Sequence, residues 1–274
     1  MKHRLVEPRF PMVMGIINAT PDSFFTASRA TAVDDALHMA ERMLTEGAGI
    51  LDIGGQSSRP GSEAGDEGEE LGRVLPVIAA IHDRFPDAWI SVDTWRASVA
   101  HEAVAAGASM VNDIGAGLLD TRMLATVAQL GVPYIAMHMQ GTPKTMQVAP
   151  RYADVVAEVT LFLSQRLNAA HSAGIADVIV DPGFGFGKTT AHNYALLNDA
   201  QRLKALGVPV LVGLSRKRMI NEVLGVEPAE ALNGTTALNT IALLYGASIL
   251  RVHDVKEAVQ CVQLMSALRS PTAQ

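Results

Sequence analysis

The chain has almost no cysteine. Cys261 stands alone among 274 residues. Without a second thiol there is no internal disulfide framework and no thiolate metal site, which suits a reducing compartment, so a cytoplasmic protein is expected. Charge is scarce as well: 18% of residues are charged and the net charge is −6. That balance gives no global attraction to nucleic acid or to an anionic membrane, so neither is expected as a partner. No apolar run reaches the ~18 residues that a membrane helix needs. The opening "MKHRLVEPRFPMVMGIIN" begins basic, but its short apolar run is broken by proline, so it is not expected to act as a secretory signal. The histidines are too dispersed for a zinc site. With no linker or break in composition, residues 1–274 read as a single domain.

Glycine is missing where a dinucleotide-binding turn would need it, because "NATPDSFF" after the first apolar run contains none. It is abundant in "DPGFGFGKTT", yet the spacing excludes a phosphate loop. Gly183 and Gly187 enclose three residues where that loop needs four, and the preceding Pro182 has no N–H. Counting G-x-G-x-x-G from Gly183 and Gly185 lands on Lys188.

What the sequence does contain is a repeated unit: a segment of helical periodicity, a glycine, then an apolar run. It appears as "TEGAGILDIGG", "AAGASMVNDIG", "QLGVPYIAMHM", "SAGIADVIVDPG", "ALGVPVLVGLS" and "LYGASILRVHD". Gly47, Gly107, Gly131, Gly174, Gly207 and Gly246 are placed to close helices in the left-handed conformation. "VMGIIN" and "WISVDT" bring the strands to eight. Their near-continuous apolar character suits parallel strands buried on both faces, and the helical segments between them complete an α/β (β/α)8 TIM barrel.

Each strand ends in a polar group: Asn18, Asp52, Asp93, Asn112 with Asp113, His138, Asp181, Ser215-Arg216-Lys217, and Arg251 with His253. In a parallel barrel these ends share the face that carries the active site. Asp93, Asn112, Asp181 and Lys217 suit the edge of a guanine-like heterocycle, because a carboxylate accepts two adjacent N–H groups and an amide both donates and accepts. An internal Asp–Lys ion pair is the structural alternative. Arg59, Arg251, His253 and Asn18 suit a phosphate or diphosphate, and Asn18 could offer its oxygen to Mg2+. In the glycine-rich stretch, Phe184 and Phe186 read either as flat walls for an aromatic ligand or as core. The run "GDEGEE" at residues 65–70 reads as the acidic first turn of a helix.

Eight segments taken together resemble the dihydropteroate synthase family: "GIINATPDSF", "DIGGQSSRPG", "SVDT", "NDI", "MHMQGTPKTMQ", "DPGFGFGK", "GLSRKRMI" and "RVHDVKEA", in order across residues 15–258. The resemblance implies a (β/α)8 barrel, usually a homodimer. The expected reaction joins p-aminobenzoate to 6-hydroxymethyl-7,8-dihydropterin diphosphate, releasing diphosphate and making dihydropteroate. By position it implies that Asp93, Asn112, Asp181 and Lys217 hold the pterin, with Met137 and Gly213 lining its slot. Asn18, Arg59, Arg251 and His253 would hold the diphosphate and Mg2+, with Asn18 nearest the metal. Ser58, Arg59, Pro60, Phe186, Lys217 and Ser215 would border the p-aminobenzoate pocket. Catalysis would fall to Lys217, Arg251, His253 and Arg59.

The chain departs from the family pattern in two loops. Thr26 stands where an acidic residue is expected, and "GGQSSRPG" carries Gln56 for the usual Glu and Ser58 for the usual Thr. Two other readings share the barrel: a non-catalytic pterin-binding paralogue, and a methyltransferase domain that binds methyltetrahydrofolate. The second has no need of the diphosphate cluster.

Overall fold

The computed structural model describes residues 11–19, 29–56, 65–142, 144–146 and 148–269. Its strands are β1 (Met12–Asn18), β2 (Ile50–Gly54), β3 (Trp89–Asp93), β4 (Met110–Asp113), β5 (Tyr134–Met137), β6 (Val178–Asp181), β7 (Leu211–Val212) and β8 (Ile249–Val252). The first six strands are followed in turn by α1 (Arg29–Thr45), α2 (Glu67–Arg84), α3 (Ala97–Ala105), α4 (Met123–Leu130), α5 (Val155–Ser172) and α6 (Thr190–Asn198), β7 is followed by both α7 (Arg218–Leu224) and α8 (Leu232–Leu244), and α9 (Val255–Arg269) follows the last strand. All strand pairs are parallel, in the order β6-β5-β4-β3-β2-β1-β8-β7. A parallel bridge between Val180 and Val210 closes the ring between β6 and the segment entering β7. The chain folds as a (β/α)8 barrel.

The glycines before the strands explain how each helix gives way to the next strand. All six have positive φ, from 65° at Gly131 to 119° at Gly107, which ends the helical path at little steric cost. Helix starts are fixed by side chains where the sequence supplies them. Asp154 accepts the N–H groups of Val156 and Ala157, each at 3.0 Å, at the start of α5. Thr189 and His192 form a reciprocal capping box at the start of α6.

Two apolar layers hold the barrel. The larger lies between sheet and helices and includes Val92, Val111, Tyr134, Leu163 and Leu250. The smaller plugs the barrel itself, with Met14, Ile50, Met110, Ile135, Ile179, Leu211 and Ile249 packed together. Burying each of these side chains contributes roughly 2 kcal/mol. Because successive residues of a strand point to opposite faces, the residue two further on faces the same way as each plug residue. Those residues are Ile16, Asp52, Asn112, Met137, Asp181, Gly213 and Arg251, so a layer that carries the charges of Asp52, Asp181 and Arg251 sits directly on the apolar floor.

Candidate active site

The charged layer lines a cavity that encloses about 350 Å³ of empty space, open solvent at its mouth included. Asp93, Asn112, Met137, Asp181, Gly213, Lys217 and Arg251 all border it, with Ile114, Gly183, Phe184 and Phe186. The structure thus brings all six residues of the expected pterin set to one place. Arg251, grouped by sequence with the phosphate-binding residues, lies in the same cavity. His253 and Ser215 are joined beside it, Ser215 Oγ to His253 Nδ1 at 3.0 Å. Asn18 ends β1 on the same rim. Ser58, Arg59, Pro60 and Thr26 lie outside the described residues.

Arg251 organises the charges. Its Nε donates to Asp52 Oδ2 and a terminal guanidinium nitrogen donates to Asp93 Oδ2, each at 2.7 Å. Asn112 Nδ2 donates to the same Asp52 oxygen at 3.1 Å. Asp52 is fully buried, whereas the side chains of Asp93 and Arg251 remain 17% and 20% exposed toward the cavity. Burial pulls the guanidinium down, but Asp52 and Asp93 outweigh it and hold Arg251 above its ordinary value. Burial pushes the Asp93 carboxyl up to about 7 against the pull of Arg251, with Asp52 adding to the rise. Asp181 is likewise raised by burial, opposed by the Gly183 N–H that its Oδ1 accepts at 2.7 Å.

Lys217 approaches from the segment after β7. Its ammonium sits 4.3 Å from the centre of the Phe186 ring, a cation–π contact. Burial, and then repulsion from Arg251, lowers it to about 8. His253 is lowered to about 4 by burial and by Arg251, so its ring is neutral near pH 7.

The glycine-rich stretch is the wall between β6 and α6. Gly183, Gly185 and Gly187 all have positive φ. A Cβ on Gly183 would fall 1.9 Å from the carbonyl oxygen of His138, and one on Gly187 would fall 2.5 Å from that of Gln140. The glycines therefore serve close backbone packing against the end of β5. Phe184 is fully buried and borders the cavity from the core side, while Phe186 is half-buried beside Lys217.

Four residues that shape this region, Asp52, Lys188, Glu70 and Arg96, carry no site role in the sequence reading. Asp52 carries the ion pair that fixes Arg251, and its inward position follows from counting two residues on from Ile50. Lys188 is buried inside the wall it terminates. Glu70 is 1% exposed and bonds to Arg96, and Gln56 Nε2 donates to the same oxygen at 2.5 Å, so the acidic first turn of α2 is more than a dipole partner. Arg96 also donates to the Gly65 carbonyl at 2.6 Å. A glutamate at position 56 would set two carboxylates together, so Gln56 matches this arrangement. Conversely, Asp113 and His138 face outward. Asp113 accepts from Tyr134 Oη and from the N–H groups of Gly115 and Gly117, each at 2.7 Å.

A family model described as a pterin binding enzyme matches residues 14–253. The chain is 46% identical over 262 residues to the dihydropteroate synthase of Escherichia coli (strain K12), covering 95% of this chain and 92% of that protein. It is similar to the solved dihydropteroate synthase of Xanthomonas albilineans with 4-aminobenzoic acid: 47% identity, TM-score 0.88, 95% of this chain and 94% of that one. The structure of the synthase from the same organism in complex with 7,8-dihydropteroate matches at 45% identity and TM-score 0.85, covering 95% and 94%. Barrel, cavity and family model define a pterin-binding enzyme. The chain belongs to the dihydropteroate synthase family.

Proposed function

We propose that the chain joins 6-hydroxymethyl-7,8-dihydropterin diphosphate to p-aminobenzoate, giving 7,8-dihydropteroate and diphosphate. It is a transferase. The observation that carries the reading is the convergence of Asp93, Asn112, Asp181, Lys217 and Arg251 on one cavity in a chain of this family. The pterin edge offers adjacent N–H donors, and we assign Asp181 Oδ2 and Asn112 to them. Lys217 and Asp93 flank the ring, and Met137 and Gly213 give it flat, uncharged surfaces. Arg251, His253, Arg59 and Asn18 are assigned to the diphosphate. Ser58, Arg59, Pro60, Phe186, Lys217 and Ser215 are assigned to p-aminobenzoate.

Diphosphate departs readily when its charge is matched, and the cation left behind spreads into the electron-rich dihydropterin. Departure before attack by the arylamine is therefore the order we propose. A kinetic isotope effect showing strong nucleophile participation in C–O cleavage would overturn that order.

Mg2+ is proposed as the companion of the diphosphate. A Cβ on Gly54 would lie 3.7 Å from Asn18 Oδ1 and 3.8 Å from Asp93 Oδ2, so hard oxygen donors gather at this rim. No group of three His, Cys, Asp or Glu among the described residues could hold a metal. Mg2+ keeps several waters and takes substrate oxygens, and Asn18 is proposed as its protein ligand. When bound, the ion supplies charge neutralisation on the leaving group.

A homodimer is proposed from the apolar outer face. Val223 and Leu224 of α7, Leu244 of α8, and Leu264 and Leu268 of α9 are all at least 51% exposed. Sedimentation of the protein tests this, with a monomer at micromolar concentration as the opposing result. No helix among the described residues is long and apolar enough to cross a membrane. A cytoplasmic location is proposed on the reading of the single cysteine.

The deciding assay mixes the protein with pterin diphosphate, p-aminobenzoate and Mg2+ and measures dihydropteroate and diphosphate. Stoichiometric formation of both is expected. Pterin binding without product would instead support a non-catalytic paralogue.

A further inference from the structure

Lys188, the last residue of "DPGFGFGK", is 3% exposed and points into the wall that precedes it. Its ammonium lies 2.9 Å from His138 Nδ1, 2.9 Å from the Gly183 carbonyl oxygen and 3.2 Å from the Phe186 carbonyl oxygen. Burial lowers Lys188 to about 7 against the pull of Asp181, and in its ammonium form three donors match these three acceptors. His138 is held neutral, lowered to about 3 by burial and then by the Lys188 charge, so its Nδ1 accepts and its proton belongs on Nε2. The His138 ring is fixed in turn, edge to face on Phe162 of α5 at 4.8 Å.

The same segment is held at other points. Asn193 Oδ1 accepts from the Gly185 N–H at 2.8 Å, and Tyr152 Oη donates to the Gly187 carbonyl at 2.8 Å. The segment contains no regular secondary structure, so its path depends on these side chains. That path places Phe186 under Lys217 and offers the Gly183 N–H to Asp181. Burying an ammonium with no carboxylate among its three hydrogen-bond partners is costly, and an apolar side chain would fill the space more cheaply.

We infer that Lys188 is a positioning residue for the pterin: by gripping the carbonyls of Gly183 and Phe186 from inside, it gives the cavity wall the curvature that aligns Asp181 and Phe186 with the ligand. Tyr152 steadies the same wall at Gly187. The inference rests on reading the cavity as the pterin site.

The test compares unaltered protein with Lys188→Met, Lys188→Gln and Tyr152→Phe, using 6-hydroxymethylpterin in calorimetry and pterin diphosphate in steady-state kinetics. Lys188→Met is expected to weaken pterin binding about tenfold and to raise the pterin KM to match, with kcat changed less than about threefold. Lys188→Gln keeps an N–H donor and is expected to recover about half of that loss on a logarithmic scale. Tyr152→Phe loses one hydrogen bond and is expected to weaken binding about threefold. A role in stability alone would lower the melting temperature and leave the pterin affinity of the folded protein unchanged, which would overturn the inference. Should Lys188→Met fail to fold, unchanged affinity in Lys188→Gln and Tyr152→Phe would overturn it equally. Failure of the unaltered protein to bind 6-hydroxymethylpterin would overturn the site reading itself. Binding by the unaltered protein with equal affinity in the variants overturns only the role of Lys188.

Discussion

Arg216 grips Asp254 with two hydrogen bonds, Nε to Oδ2 at 3.1 Å and a terminal guanidinium nitrogen to Oδ1 at 2.7 Å. The pair ties the segment after β7 to the segment after β8. Arg216 adopts a left-handed φ of 56°, and its N–H is taken by Thr235 Oγ1 at 3.1 Å. On either side of it, Lys217 faces the cavity and Ser215 bonds to His253. Asp254→Asn keeps the shape and loses the charge. Because the arginine side chain is 36% exposed, the loss of stability is expected to stay near ~1 kcal/mol. Turnover should fall about fivefold, as Lys217 and His253 lose their common brace. Urea unfolding and steady-state kinetics on the same preparation check both halves.

Asp52→Ala leaves the Arg251 guanidinium with one carboxylate in place of two, and the partner removed is the fully buried one. Removing one partner of a buried ion pair costs ~3–5 kcal/mol. Unfolding by urea should show a loss of that size, together with a fall of at least about tenfold in kcat/KM, since Arg251 would no longer be held in place.

Glycine substitutions separate backbone conformation from crowding. Gly131 closes α4 with φ 65° and has nothing within 4 Å of a built Cβ, so Gly131→Ala should cost only ~1 kcal/mol. Gly183 has φ 67° and the His138 carbonyl in the way, so Gly183→Ala should cost several times as much, roughly 3 kcal/mol or more. Equal melting temperatures for the two variants would refute the packing account of the wall.

Lys217 governs the expected pH response. Its folded value of about 8 lies below the ordinary 10.5, chiefly through burial. If the ammonium is the working form, turnover declines as pH rises through about 8, and Lys217→Met should be at least about tenfold slower below that pH and lack the decline. The stability effect has the opposite sense. A depressed lysine contributes stability that is present above 10.5 and is lost as pH falls through about 8. Lys217→Met should therefore melt at a higher temperature than the unaltered protein at pH 7, with the gap closing toward pH 10.5. A rate profile flat to pH 9.5 would remove the assignment of the charged form.

The barrel was legible because its punctuation is local. A glycine that must turn left-handed announces itself before six of the eight strands, and all six have the required φ. The polar residues at the strand ends were legible for the same reason. Which way they point was harder to read. Strands that are apolar on both faces show no alternation, so nothing in "LDIGG" or "VNDI" says that Asp52 and Asn112 turn inward while Asp113 turns outward. The plug residues settle it, and they are recognisable only once the ring is closed. Lys188 was hidden differently: a lysine at the end of a glycine-rich run suggests a group reaching for a ligand, whereas here it folds back on its own carbonyls.

The ring closes through one bridge, Val180 to Val210, beside a β7 of two residues. Every other joint has at least two paired positions. Local opening events should begin at this joint, and the amide of Val180, bonded to the Pro209 carbonyl, should exchange its hydrogen before those in the middle of β1 and β2. Asp181 and Lys217 stand on opposite sides of it. Each such fluctuation spreads the two groups assigned to the pterin, so a bound ligand spanning them acts as the missing rivet of the barrel.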